Sequence, residues 1–93
     1  MRISEYEKDI IVQSIRKHDP EAVVYLFGSR ADDSKKGGDI DILILSKKIK
    51  SADKIDLIAL IFEKLEEQKI DIVIAPDTTK PFVKLALEQG ILL

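Results

Sequence analysis

Tyr25-Leu-Phe-Gly-Ser-Arg-Ala31, followed after a polar stretch by Gly37-Gly-Asp-Ile-Asp-Ile-Leu-Ile-Leu45, is the passage on which the reading of this chain turns. Ala22 to Phe27 is short, β-branched and aromatic, with Pro20 before it and Gly28 after it, the signature of a strand. Alternation puts Val23, Tyr25 and Phe27 on one face and Val24 and Leu26 on the other. Both faces are apolar, so the strand is expected to be central. Ser29 to Gly38 is polar, charged or small, a loop that opens with one helical turn. Asp39 to Leu45 is the second strand, with Ile40, Ile42 and Ile44 on one face and Asp39, Asp41, Leu43 and Leu45 on the other.

Upstream, Ile10, Ile11, Val12 and Ile15 recur at helical spacing between Ser4 and His18, with Ser4 as N-cap and Glu7 completing a capping box. Asp19-Pro20 ends that helix, because proline pushes the residue before it out of helical geometry. Downstream, Lys47, Lys48 and Lys50 form a solvated connection. Ser51 to Gln68 is the longest helical pattern, capped by Ser51, with Ile55, Ile58, Phe62 and Leu65 as its stripe and Leu57, Ala59, Leu60 and Ile61 widening it. Ile70 to Ala75 is a third strand: Ile70, Ile72 and Ile74 face one way, Asp71 and Val73 the other. Thr79-Lys80-Pro81 starts a last helix, proline sitting in the first turn where its missing N–H costs nothing. Phe82, Leu85 and Ala86 are its expected buried stripe, Gly90 its C-cap, and Ile91 folds back on it.

The expected fold is therefore α+β in the order α-β-β-α-β-α: a small mixed three-strand sheet with helices on one face, the isoleucine face. At 93 residues there is room for a single domain, 1–93, with a modest core. A composition 45% hydrophobic and 34% charged is that of a folded chain. A net charge of -2 and a pI near 5.4 argue against a protein that grips nucleic acid through its phosphates. The absence of cysteine excludes disulfides and thiolate metal sites. No apolar run long enough to span a membrane and no signal peptide is visible, so a cytoplasmic setting is expected.

Asp39 and Asp41, separated by one strand residue, project the same way with Cβ atoms about 6–7 Å apart. Two carboxylates so close do not both stay ionised comfortably without a cation, and Mg²⁺ or Mn²⁺ is the natural occupant of an all-oxygen set. If the third strand lies beside the second, Asp71 joins them, and three carboxylates can hold two ions, the arrangement used in phosphoryl and nucleotidyl transfer. Asp-x-Asp alone carries nothing: ten aspartates in 93 residues give about one such pair by chance. Its weight comes from charges opening an otherwise apolar strand and from the matching Asp71. Gly28 allows close backbone approach, and amides at a following helical turn attract phosphate. Ser29 adds a hydroxyl. A Gly-Ser turn alone is an ordinary turn; beside the carboxylates it reads as a triphosphate cradle. His18 at a helix C-terminus is explained by the dipole, and Tyr6 and Tyr25 are expected to be packing residues.

Leu26-Phe-Gly-Ser-Arg-Ala31, Gly38-Asp-Ile-Asp-Ile-Leu43, Ile70-Asp-Ile-Val73 and Gly90-Ile-Leu92 together resemble the minimal nucleotidyltransferases of the DNA polymerase β superfamily, of the antitoxin type. The resemblance implies a polymerase β-like palm, two Mg²⁺ ions (Mn²⁺ being an alternative) held by Asp39, Asp41 and Asp71, and the phosphates of ATP or another nucleoside triphosphate held at Gly28, Ser29 and Arg30. It further implies an antitoxin that transfers AMP from ATP onto a tyrosine of a helical HEPN-type partner toxin. Nine residues, Arg30 to Gly38, separate Gly-Ser from the first aspartate where the family commonly has ten, and Asp33 stands where a second arginine often lies, leaving Arg30 with Lys35 and Lys36.

Two readings of different class follow. In the first the chain is an enzyme whose acceptor comes from another molecule, docked on an uncovered apolar strip of Leu43, Leu45 and Val73. In the second it is a nucleotide-binding or partner-neutralising module whose chemistry is weak or lost. A calcium or purely structural carboxylate cluster is a third, which leaves the Gly-Ser turn without a purpose. Homo-oligomers stay open.

Overall fold

The computed structural model describes residues 3–31, 39–65 and 69–93. Among these, the order is α1 (Glu5–His18), β1 (Val23–Phe27), a 3-10 turn (Gly28–Ala31), β2 (Ile40–Leu45), a 3-10 turn (Ser51–Asp53), α2 (Lys54–Phe62), β3 (Ile70–Ala75), α3 (Pro81–Gln89) and β4 (Ile91–Leu92). The α+β class and the three longer strands follow the alternation of the sequence. The sheet has four strands rather than three, ordered β3-β2-β1-β4. The fourth arises because Ile91 does not fold back on α3. Gly90 leaves the helix extended, at φ -86°. Its missing side chain matters for packing: a Cβ there would meet the Ala86 carbonyl oxygen at 2.5 Å and that of Leu26 at 3.1 Å. The chain then runs antiparallel to β1, and the Leu93 N–H donates to the Val24 carbonyl at 2.9 Å.

β1 and β2 are antiparallel and β2 and β3 parallel. The register makes Leu26, Ile42 and Ile72 one row of the isoleucine face, and Val24, Ile44 and Ile74 the next. Ile11 and Ile15 of α1 and Leu57 and Ile61 of α2 bury this face, as expected. The other face is not bare. Val83 and Ala86 of α3 pack on Leu43 and Ala75, with Tyr25, Phe27, Leu45, Val73 and Leu87 around them. Helices thus lie on both faces, and the strip of Leu43, Leu45 and Val73 is covered, Leu43 completely.

Local signals account for the helix ends. Ser4 and Glu7 form the reciprocal capping box: the Glu7 N–H donates to Ser4 Oγ at 3.0 Å and the Ser4 N–H to Glu7 Oε1 at 2.8 Å. Asp19 is extended, as its proline neighbour requires. The middle helix is shorter than its sequence pattern. Ser51 opens a 3-10 turn rather than capping an α-helix, the Lys50 N–H donates to Asp53 Oδ2 at 2.8 Å, and the regular helix stops at Phe62. Its stripe is also rotated: Leu57, Ile61 and Leu65 are buried, whereas Ile55 is 79% and Phe62 40% exposed. In α3 Val83 and Ala86 are buried, while Phe82 and Leu85 stand half in solvent.

Candidate active site

The face under α3 is built in rows across the strands. At its outer end Phe27, Asp41 and Asp71 face one another in register, followed by Tyr25, Leu43 and Val73 and then by Val23, Leu45 and Ala75. Asp41 and Asp71 are direct neighbours on parallel strands, and Asp39, two residues before Asp41, shares their face. This row lies where β1 ends and β2 and β3 begin. Asp71 is exposed, and Asp39 and Asp41 are partly buried.

Gly28 closes the site on the β1 side. It is in the left-handed region, at φ 72°, and a Cβ built on it would collide with the Asp41 carboxylate, lying 3.2 Å from its Cγ. Glycine is therefore required twice over: for the turn from β1 into the 3-10 segment and for the carboxylate that lies against its backbone. The helical turn expected after the first strand is present as that segment. The side chains of Ser29 and Arg30, and residues 32–38 with Asp33, Lys35 and Lys36, lie outside the described residues.

Electrostatically the row is under strain. Burial raises Asp41 above the usual carboxylate range; the charges of Asp71 and Asp39 and a hydrogen bond with Asp71 raise it further, and among the described residues Lys69 opposes them. Lys69 is a site residue that the strand alternation alone does not reveal. Its ammonium lies 3.5 Å from Asp39 Oδ2, and its carbonyl accepts the Ile40 N–H at 3.0 Å. It precedes β3 as Asp39 precedes β2, so only the parallel register brings the two together.

Among the described residues no three His, Cys, Asp or Glu side chains already converge around one point as a finished metal cage. The donor set nonetheless fits a hard divalent cation: Asp41 and Asp71 are adjacent oxygen donors on parallel strands, and Asp71 and Asp39 both bring negative charge to Asp41. Asp39, turned to Lys69, is available by exchange of that exposed ion pair, a weak tie in water.

The opposite end of the sheet holds a cleft of about 600 Å³, lined by residues that include Asp19, Ser46, Lys47, Lys48 and Asp77. It is far from the carboxylates, which sit at the open outer end. His18, the last residue of α1, precedes Asp19 at this other end and takes no part in the site. No described helix is long and apolar enough to cross a membrane.

The family model described as "Polymerase beta, Nucleotidyltransferase" matches residues 9–93. No curated protein matches the chain. Because the family match runs from within α1 to the end of β4 and takes in Gly28, Asp39, Asp41 and Asp71, the chain belongs to the polymerase β nucleotidyltransferase family.

Proposed function

We propose that the chain transfers a nucleoside monophosphate, AMP from ATP, to a hydroxyl group in a Mg²⁺-dependent reaction in the cytoplasm. The acceptor is a tyrosine of a HEPN-type helical partner, which the transfer neutralises, making the chain an antitoxin. The observation that carries the transfer chemistry is the in-register pairing of Asp41 with Asp71 against the Gly28 backbone. The acceptor and the antitoxin role are supported by the resemblance of Gly-Ser, Asp-x-Asp and the third-strand aspartate to minimal nucleotidyltransferases.

In this reading Asp39 and Asp41 would hold both ions and Asp71 one of them. Bound there, Mg²⁺ supplies charge neutralisation for the attacking and leaving oxygens. Gly28, Ser29 and Arg30 position the triphosphate. The acceptor oxygen bonds to the α-phosphorus, the α–β phosphoanhydride bond breaks, and pyrophosphate leaves with the bond's electron pair. Asp71, the most exposed of the three aspartates, accepts the acceptor's proton.

Incubation with labelled ATP, Mg²⁺ and the HEPN-type partner is expected to label the partner with wild-type protein and to leave it unlabelled with Asp39→Asn or Asp41→Asn. The Asp41→Asn protein should melt no lower than wild type, since the change removes a charge from a repelling group. A folded variant that transfers label as fast as wild type would refute the assignment. A second reading, a nucleotide-binding module without chemistry, is supported by the nine-residue interval between Gly-Ser and Asp39 and by Asp33 standing where a second arginine often lies. It predicts a partner complex that forms equally well without Mg²⁺ and no label transfer by wild type.

A further inference from the structure

Three Phe and two Tyr make up the aromatic content of the chain, and there is no Trp. Tyr6 and Phe62 belong to α1 and α2, the layer behind the isoleucine face. Tyr25 lies one row inward from the carboxylates, among the side chains packed under α3. Phe27 and Phe82 remain at the carboxylate end. Phe27 is the strand partner of Asp41, and its ring meets that of Phe82 edge to face, with centroids 5.7 Å apart and planes at 82°. Phe82 is nevertheless 49% exposed.

A ring fixed by an aromatic neighbour and left half in water is a stacking surface formed before any ligand arrives. With cross-strand neighbours about 5 Å apart, the Phe82 ring stands on the order of 10 Å from Asp41, a distance that a ribose and base can bridge. α3, which carries Phe82, also packs against the 3-10 turn that begins with Gly28. The chain thus places an exposed aromatic surface in continuity with its carboxylates and its Gly-Ser turn.

We infer that Phe82 is the base platform of the site, the ring on which the nucleobase of the bound nucleoside triphosphate stacks, Phe27 holding it in place; the inference rests on the nucleotidyltransferase reading above. Stacking uses the π-face that every base possesses, and a purine offers more of it than a pyrimidine. Phe82 accordingly contributes affinity for the nucleoside and none for the phosphates.

The test separates these two parts of the ligand. Binding of ATP and of inorganic tripolyphosphate, each with Mg²⁺, is measured by calorimetry for wild type, Phe82→Ala and Phe82→Tyr, with thermal melting as the control for folding. Phe82→Ala should weaken ATP binding about tenfold and leave tripolyphosphate binding unchanged, and Phe82→Tyr should restore ATP binding. Equal weakening of both ligands, or none of either, overturns the inference while leaving the carboxylate site intact. So does unchanged ATP binding with lost modification of the acceptor, which would make Phe82 a protein-docking residue. Failure of wild type to bind either ligand overturns the nucleotidyltransferase reading and this inference with it.

Discussion

Gly28 shows how one residue can serve backbone and chemistry together. Its positive φ costs an L-residue about 1–2 kcal/mol, and its absent side chain is the space in which the Asp41 carboxylate lies. Gly28→Ala is therefore expected to lower unfolding free energy by at least ~1 kcal/mol in urea titrations and to abolish label transfer, because the new methyl displaces Asp41. Full activity in that variant would show that Asp41 has room the structure denies it. At this scale the sequence is eloquent about the aspartates, since period-two alternation alone puts Asp39 and Asp41 on one face and Asp71 on the matching face of another strand. It is silent about Lys69, whose pairing with Asp39 depends on a parallel register that no local pattern encodes.

Among the elements, the junction of α1 with β1 is held by a polar cluster with no sequence signature. Asp19 is buried, accepting the Ser46 hydroxyl at 2.6 Å and the Glu21 N–H at 3.0 Å. Ser46 Oγ in turn accepts the N–H groups of Lys48 at 3.1 Å and Ile49 at 2.9 Å. These hydrogen bonds, Ser46 first, favour the ionised carboxylate and hold Asp19 below its ordinary value of 3.8. A lowered carboxylate stabilises the fold fully above its unfolded pKa and loses that contribution as pH falls through the folded value. The melting temperature of wild type should thus fall more steeply below about pH 4 than that of Asp19→Asn; parallel curves would show that the cluster does not discriminate between the charged and neutral side chain. The capping box at Ser4 was legible because its chemistry is local. The length of α2 was not, since Ile55 to Phe62 is apolar at nearly every position and fits more than one helical face. β4 was not legible either, because two residues carry no period.

For the molecule as a whole, the decisive fact is that both faces of the sheet are apolar and both receive helices. Periodicity showed that Leu43 and Val73 share a face with the carboxylates but not that α3 would cover them. That depends on the path of residues 76–80 and on Val83 and Ala86, rather than Phe82 and Leu85, turning inward. The same packing reaches Phe27 in the first row but leaves Asp71 exposed. The strand order makes β1 internal only because β4 is present. Deletion of residues 91–93 should cost on the order of 3 kcal/mol of stability through lost apolar burial. It should also promote concentration-dependent association by exposing the β1 edge. Calorimetry and size-exclusion chromatography would read both effects, and an unchanged melting temperature would show that β4 is dispensable.

The pairing of Asp41 with Asp71 has a further consequence in time. The two residues are thirty positions apart, and the parallel strands that join them close only across α2. Long-range parallel pairing of this kind forms late and slowly in folding. A chain still emerging from the ribosome can therefore carry Gly28, Asp39 and Asp41 without having assembled Asp71. If Asp71 acts as proposed, competence for chemistry arrives with the completed sheet, and the gain of label transfer is a direct clock for the last stage of folding.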